Sequence, residues 1–116
     1  MEIQGKVWGI TSKLFSKNNV EIHRIVGEKH GYCSKHKHVN KYNMFYVEHG
    51  ALQIETWKDY GLVDKTILFS GQSCVVEPGQ YHRFKVIEDV VAFEIYWVEL
   101  DGNDIVRADH GGKKAK

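Results

Sequence analysis

The sequence predicts an all-β domain, a sandwich or barrel built as one unit. Three observations carry that prediction. Short segments rich in β-branched and aromatic residues recur at roughly regular spacing along the chain. The breaks between them are Gly and Asn, with only one proline in the 116 residues. No stretch carries an apolar stripe at helical period over a useful length.

Taken in order, Val20-Glu-Ile-His-Arg-Ile-Val26 alternates loosely with period two, as a half-buried strand does. Met44-Phe-Tyr-Val-Glu48 and Ala51-Leu-Gln-Ile-Glu-Thr-Trp57 flank His49-Gly50, which reads as the turn of a hairpin. Thr66-Ile-Leu-Phe69, Cys74-Val-Val-Glu77, His82-Arg-Phe-Lys-Val86 and residues 90–98 complete the series, with a tight turn expected at Glu88-Asp89. Residues 1–110 form the expected domain, and Gly111-Gly-Lys-Lys-Ala-Lys116, with nothing apolar to bury, is expected to be a flexible tail.

Composition narrows the function. The net charge is +1, and Lys113, Lys114 and Lys116 supply positive charge from the tail, so the body is slightly acidic. That balance argues against the basic stripe of a nucleic-acid surface, so no nucleic-acid partner is expected. No apolar run reaches membrane-spanning length or forms a leading signal, so no membrane partner and a cytoplasmic location are expected. The two cysteines, Cys33 and Cys74, have no paired spacing and read as free thiols. Seven histidines in so short a chain point toward metal or proton chemistry.

His36-Lys37-His38 is the most informative tripeptide. On a strand, residues i and i+2 project from one face, so both imidazoles can reach one point. Pro78-Gly-Gln-Tyr-His82 then opens a strand with a proline-set turn and a glycine, and places a third imidazole at its entrance. Three neutral imidazoles suit a first-row divalent metal, and Zn, Ni, Fe, Mn and Co all remain open. Phe45, Val47, Phe84 and Val86 share parity with Asn43 and His82 and are expected to line the interior around the metal. His23, His30, His49 and His110 lack partner spacing and read as surface or loop residues. Cys33 reads as an inert small side chain and Cys74 as core.

These motifs resemble the cupin superfamily. Gly31, His36, His38 and Gly50 fall in register with its first motif, and Asn43 stands where a glutamate is usual. Gly71, Pro78, Gly79 and His82 match the second, with one extra residue before the proline. The resemblance implies a single jelly-roll-like cupin β-barrel with His36, His38, His82 and Asn43 as the metal set, Asn43 being a neutral and weaker ligand. It also implies a homodimer, with the segment around Trp8 as a participant.

Beyond the general motifs, the chain is similar to the cupin domain of type II phosphomannose isomerases. Lys6-Val-Trp-Gly9, His23-Arg-Ile25, Pro78-Gly-Gln-Tyr-His-Arg83 and Gly102-Asn-Asp-Ile-Val-Arg107 carry that likeness. It departs at His110-Gly-Gly112, where the family tends to end in Tyr-Gly-Arg. The likeness implies an isomerase acting on a sugar phosphate or related carbohydrate. Arg107 would be the catalytic and phosphate-gripping residue, Arg24 a second arginine at the substrate, and Phe45 and Phe84 its apolar contacts. Glu94, Glu48 and Lys41 are positional candidates for a base, each read first as a solvated charge. Two alternatives stand beside the isomerase: a non-catalytic cupin that binds carbohydrate or nucleotide-sugar, and a three-histidine iron dioxygenase.

Overall fold

A computed structural model describes residues 2–98, 108 and 111–113. The described residues form seven strands: β1 (Glu2–Lys6), β2 (Gly9–Lys17), β3 (Val20–Gly27), β4 (Tyr42–Trp57), β5 (Val63–Phe69), β6 (Ser73–Val76) and β7 (His82–Trp97). A short 3-10 turn, Asp59–Gly61, lies between β4 and β5. All described pairings are antiparallel, in the order β1-β2-β3-β7-β4-β5, with β6 also on β4. No helix among the described residues is long and apolar enough to cross a membrane.

The expected strands are present, but two of the expected turns are not. His49-Gly50 and Glu88-Asp89 lie inside β4 and β7, each 16 residues long, which pair with one another along their length. The register shifts repeatedly between Val47 and Leu52, so the sheet bends there instead of reversing. Gly50 explains why its turn signal was misleading. Its φ is +89°, and a Cβ there would stand 2.1 Å from the Asp89 carbonyl oxygen, so glycine serves a close backbone crossing.

That bend gives each long strand two sets of neighbours. The latter half of β7 pairs with β3, and the first half of β4 pairs with β6. The other halves of β7 and β4 pair with each other, β4 pairs there also with β5, and Tyr32 and His36 bridge to Lys85 and His82 of β7. The bulges also switch parity. Asn43, Phe45 and Val47 point inward before the bend, and Leu52 and Ile54 after it. One core cluster results, including Ile25, Phe45, Val47, Leu52, Phe84 and Val86, each of which is nearly fully buried. Burial of each such side chain contributes on the order of 1.5–3 kcal/mol. Trp8 packs edge-on against Phe84, with ring centroids 4.9 Å apart, and closes the core from the N-terminal side.

β1 and β2 were not among the expected strands. Gly9–Lys17 carries Ser and Lys among its apolar residues and is largely half-exposed or exposed, so its alternation is faint. What makes it a strand is pairing with β3, nearly residue for residue.

Candidate metal centre

The two histidine motifs meet through their backbones. His36 and His82 exchange hydrogen bonds: the His36 N–H donates to the His82 carbonyl at 3.0 Å, and the His82 N–H to the His36 carbonyl at 2.8 Å. The Gly79 N–H donates to the His38 carbonyl at 2.7 Å, which ties the Pro78-Gly79 turn to the other end of the tripeptide. The segment from His36 to His38 is not a regular strand; only His36 forms a bridge. Convergence of the two rings therefore comes from these three anchoring bonds and not from strand pleat.

One ring nitrogen from each of His36, His38 and His82 lies within 4.8 Å of the others. Ring centroids are 5.2 Å apart for His36 and His38, 4.5 Å for His36 and His82, and 5.5 Å for His38 and His82. His36 Nδ1 lies 2.7 Å from the Ser34 carbonyl and His82 Nδ1 2.9 Å from the Gln80 carbonyl. With Nδ1 donating to those carbonyls, the Nε2 lone pair of each ring is left for a ligand's role, the outer-shell arrangement typical of metal-ligating histidines. Burial, then the neighbouring His36, His82 and Lys41 charges, pulls His38 down to about 4. Burial likewise lowers His82 against the opposing Gln80 hydrogen bond. Both rings are thus held neutral, as metal ligation requires.

Two buried polar atoms have no hydrogen-bond partner among the described residues: His38 Nε2 and Asn43 Oδ1. Orphans of this kind are rare in native interiors, and a bound cation is one of the groups that satisfies them. Asn43 is 1% exposed, and its Nδ2 stands 3.5 Å from His82 Nε2. Three imidazoles with an amide oxygen beside them form a donor set that fits a first-row divalent metal.

A cavity of about 330 Å³ opens beside His36. Phe45 and Phe84 form part of its wall, and Glu94, Tyr96, His23 and Lys6 contribute polar groups. Glu94 corrects the expectation of a solvated charge. It is 8% exposed, on the inner face of β7, and accepts a short hydrogen bond from the Tyr96 hydroxyl. Burial raises its pKa, and the Tyr96 hydrogen bond and the charges of His23, His36 and Lys6 oppose the rise only in part. Lys41 and Glu48 are exposed, as solvated charges are.

His23 also departs from its surface reading. It lines the same cavity, and its Nε2 lies 3.1 Å from Glu21 Oε2. Arg24 is consequently on the opposite face of β3, with Ile22 and Val26, and does not line the cavity. Alternation alone could not say which side of β3 faces in; pairing with β2 and β7 decides it. Arg107 and the segment Gly102-Asn-Asp-Ile-Val-Arg107 lie outside the described residues, as does His110. Cys33 lines the cavity as an acceptor for the Phe84 N–H at 3.2 Å, and burial pushes its thiol up to about 12, so it is inert. Cys74 is half-buried against the core.

No protein-family model matches the chain, and no curated protein matches it either. Solved structures do. KdgF from Halomonas sp. superposes with a TM-score of 0.73 at 15% identity, over 86% of this chain and 90% of that one. Oxalate decarboxylase of Bacillus subtilis, a protein with Mn(II) centres, gives 0.75 at 11% identity over 84% of this chain. The coconut allergen cocosin gives 0.68 at 19% identity over 79%. The chain spans about a quarter of the length of the latter two, at 27% each. These likenesses establish the fold as the cupin jelly roll.

Proposed function

We propose that this is a metal-binding cupin enzyme that shifts a proton within a small hydroxylated carbohydrate, with a sugar phosphate isomerised between aldose and ketose as the specific reaction. The observation that carries the reading is Glu94, a buried carboxylate steadied by Tyr96 in the cavity that His36 also lines. His36, His38 and His82 would hold the metal, with Asn43 at its side. A bound divalent cation supplies Lewis-acid polarisation of a carbonyl.

The chain's own groups account for the proton. Glu94, in its ionised form, takes the proton from the carbon next to the substrate carbonyl and returns it to the former carbonyl carbon. The hydroxyl proton moves to the carbonyl oxygen, so no redox partner is needed. Tyr96 orients the carboxylate, and burial raises its basicity toward the working range. Phe45 and Phe84 offer apolar contact to the substrate. Lys6, at the cavity wall, takes the phosphate role that Arg24 is placed too far round to fill, with Arg107 as the second cation. Exposed Ile3, Ile10 and Val26 support a homodimer through the outer face of β1–β3.

A second reading, a non-catalytic carbohydrate-binding cupin, draws on Asn43, which leaves the metal set without a carboxylate. One experiment separates them. Metal-loaded protein is assayed for conversion of mannose 6-phosphate to fructose 6-phosphate, alongside Glu94→Gln. Turnover lost in the variant, with metal content retained, supports the isomerase. Saturable binding without turnover in the parent protein supports the second reading and sinks the first.

A further inference from the structure

The outer face of the second half-sheet, on the other side of β4 and β7 from the core, concentrates charge and aromatic rings. Glu55 and Arg83 are register partners there, and the Trp57 N–H donates to the Tyr81 carbonyl at 3.0 Å. Tyr32, an isolated bridge residue, is 58% exposed and Tyr81, just before β7, is 45% exposed, so two large aromatic side chains are open to solvent beside this face. Cations are stacked on these rings. Lys35 Nζ stands 4.3 Å from the Trp57 centroid and 5.5 Å from that of Tyr81, and Lys37 Nζ 4.9 Å from Tyr81. The Arg83 guanidinium lies 5.7 Å from Tyr32 and 5.5 Å from Trp57.

The charge balance of this face differs from that of the chain. Lys35, Lys37, Arg83 and Lys85 gather here in a protein whose net charge is only +1. The carboxylate among them, Glu55, is 2% exposed and spent internally, held by Arg83 Nε at 2.9 Å and Lys85 Nζ at 3.5 Å. Asp59 and Glu77 lie with Trp57 along a neighbouring shallow groove and bound the patch at that edge. An anion approaching the face therefore meets cations already held in place by rings, which reduces the ordering entropy that lysines ordinarily lose on binding.

We propose that this face is a second binding site, separate from the metal centre, for an acidic oligosaccharide whose carboxylates pair with Lys35, Lys37 and Arg83 while its sugar rings lie along the exposed edges of Tyr32 and Tyr81. Single-stranded nucleic acid fits less well. Its affinity rests on bases stacking on open ring faces, and here Trp57 and Tyr81 carry cations on theirs. A stiff sugar chain needs only ring edges and the cations, and it loses little freedom on a flat sheet.

The test is calorimetric titration of the full chain with a hyaluronan tetrasaccharide, neutral maltotetraose, oligothymidylate and a tetraglutamate peptide. The expected result is saturable binding of the hyaluronan fragment, none of maltotetraose, and weaker binding of the other two. Lys35→Gln combined with Lys37→Gln should raise Kd about tenfold or more, as loss of charge-assisted hydrogen bonds does. Chelator-treated protein should bind as the parent does, which keeps this site distinct from the metal centre. Binding lost with the metal, maltotetraose bound equally well, or oligothymidylate or tetraglutamate bound more tightly would each overturn the proposal.

Discussion

His36 and His82 are joined by a reciprocal pair of backbone hydrogen bonds, at 3.0 and 2.8 Å, that sets their rings 4.5 Å apart. Because main-chain atoms make that bridge, deleting the His36 ring leaves it in place. His36→Ala is expected to keep the folded β spectrum while elemental analysis of the purified variant finds no retained metal. Unchanged metal stoichiometry would remove His36 from the centre.

Asn43 is buried with an unpartnered Oδ1, so an isosteric carboxylate there is instructive. Asn43→Asp costs stability without metal, because an unpaired charge is buried, and gains affinity when a cation neutralises it. Metal Kd should fall about tenfold or more, roughly 1.4 kcal/mol. The rise in Tm on metal addition should exceed that of the parent. An equal or smaller rise means that Asn43 does not face the ion.

Glu55 couples stability to acid. Burial pushes its pKa up, but the Arg83 hydrogen bond and charge, the Gln53 hydrogen bond and the Lys85 charge outweigh burial and leave it below the ordinary 4.5. A carboxylate depressed in the folded state adds stability above its unfolded pKa, and that stability drains away as pH falls through the folded value. Urea unfolding should therefore show a decline below about pH 4.5 that Glu55→Gln flattens. Arg83→Gln strips the shielding partner from a buried charge and should cost about 2–3 kcal/mol near neutral pH, less than a fully enclosed pair because Lys85 remains. A loss below about 0.5 kcal/mol would place the pair among ordinary surface bridges.

Gly50 tests the bend. Gly50→Ala sets a Cβ against the Asp89 carbonyl, at a φ of +89° that L-residues disfavour. A loss of about 2–3 kcal/mol in unfolding free energy is expected. A neutral result would mean that the two long strands separate there at little cost.

Much of this was legible in the sequence, and the failures share one cause. Period-two alternation marked β3, both halves of β4 and both halves of β7, but it could not say that each pair of halves is one bent strand. A glycine that permits a turn equally permits a close crossing, and only the Asp89 carbonyl opposite Gly50 decides between them. Alternation likewise placed His23 and Arg24 on opposite faces of β3 without naming the inner one. Glu94 resembled any solvated acid until the sheet closed over it, although its position between inward-facing Ala92 and the cavity-lining Tyr96 was a signal that could have been used.

By itself the sequence determined the all-β class, the aromatic and aliphatic core positions around Phe45 and Phe84, and the two histidine motifs. Those depend on local pattern: side-chain period, turn chemistry and residue type. Tertiary structure alone decided that His36 and His38 converge without a strand, that Glu94 and His23 share their cavity, and that Arg24 turns away. Each of those facts depends on which distant backbone pairs with which, and a one-residue change of register in β3 or β7 would send His23, Arg24 or Glu94 to the other face.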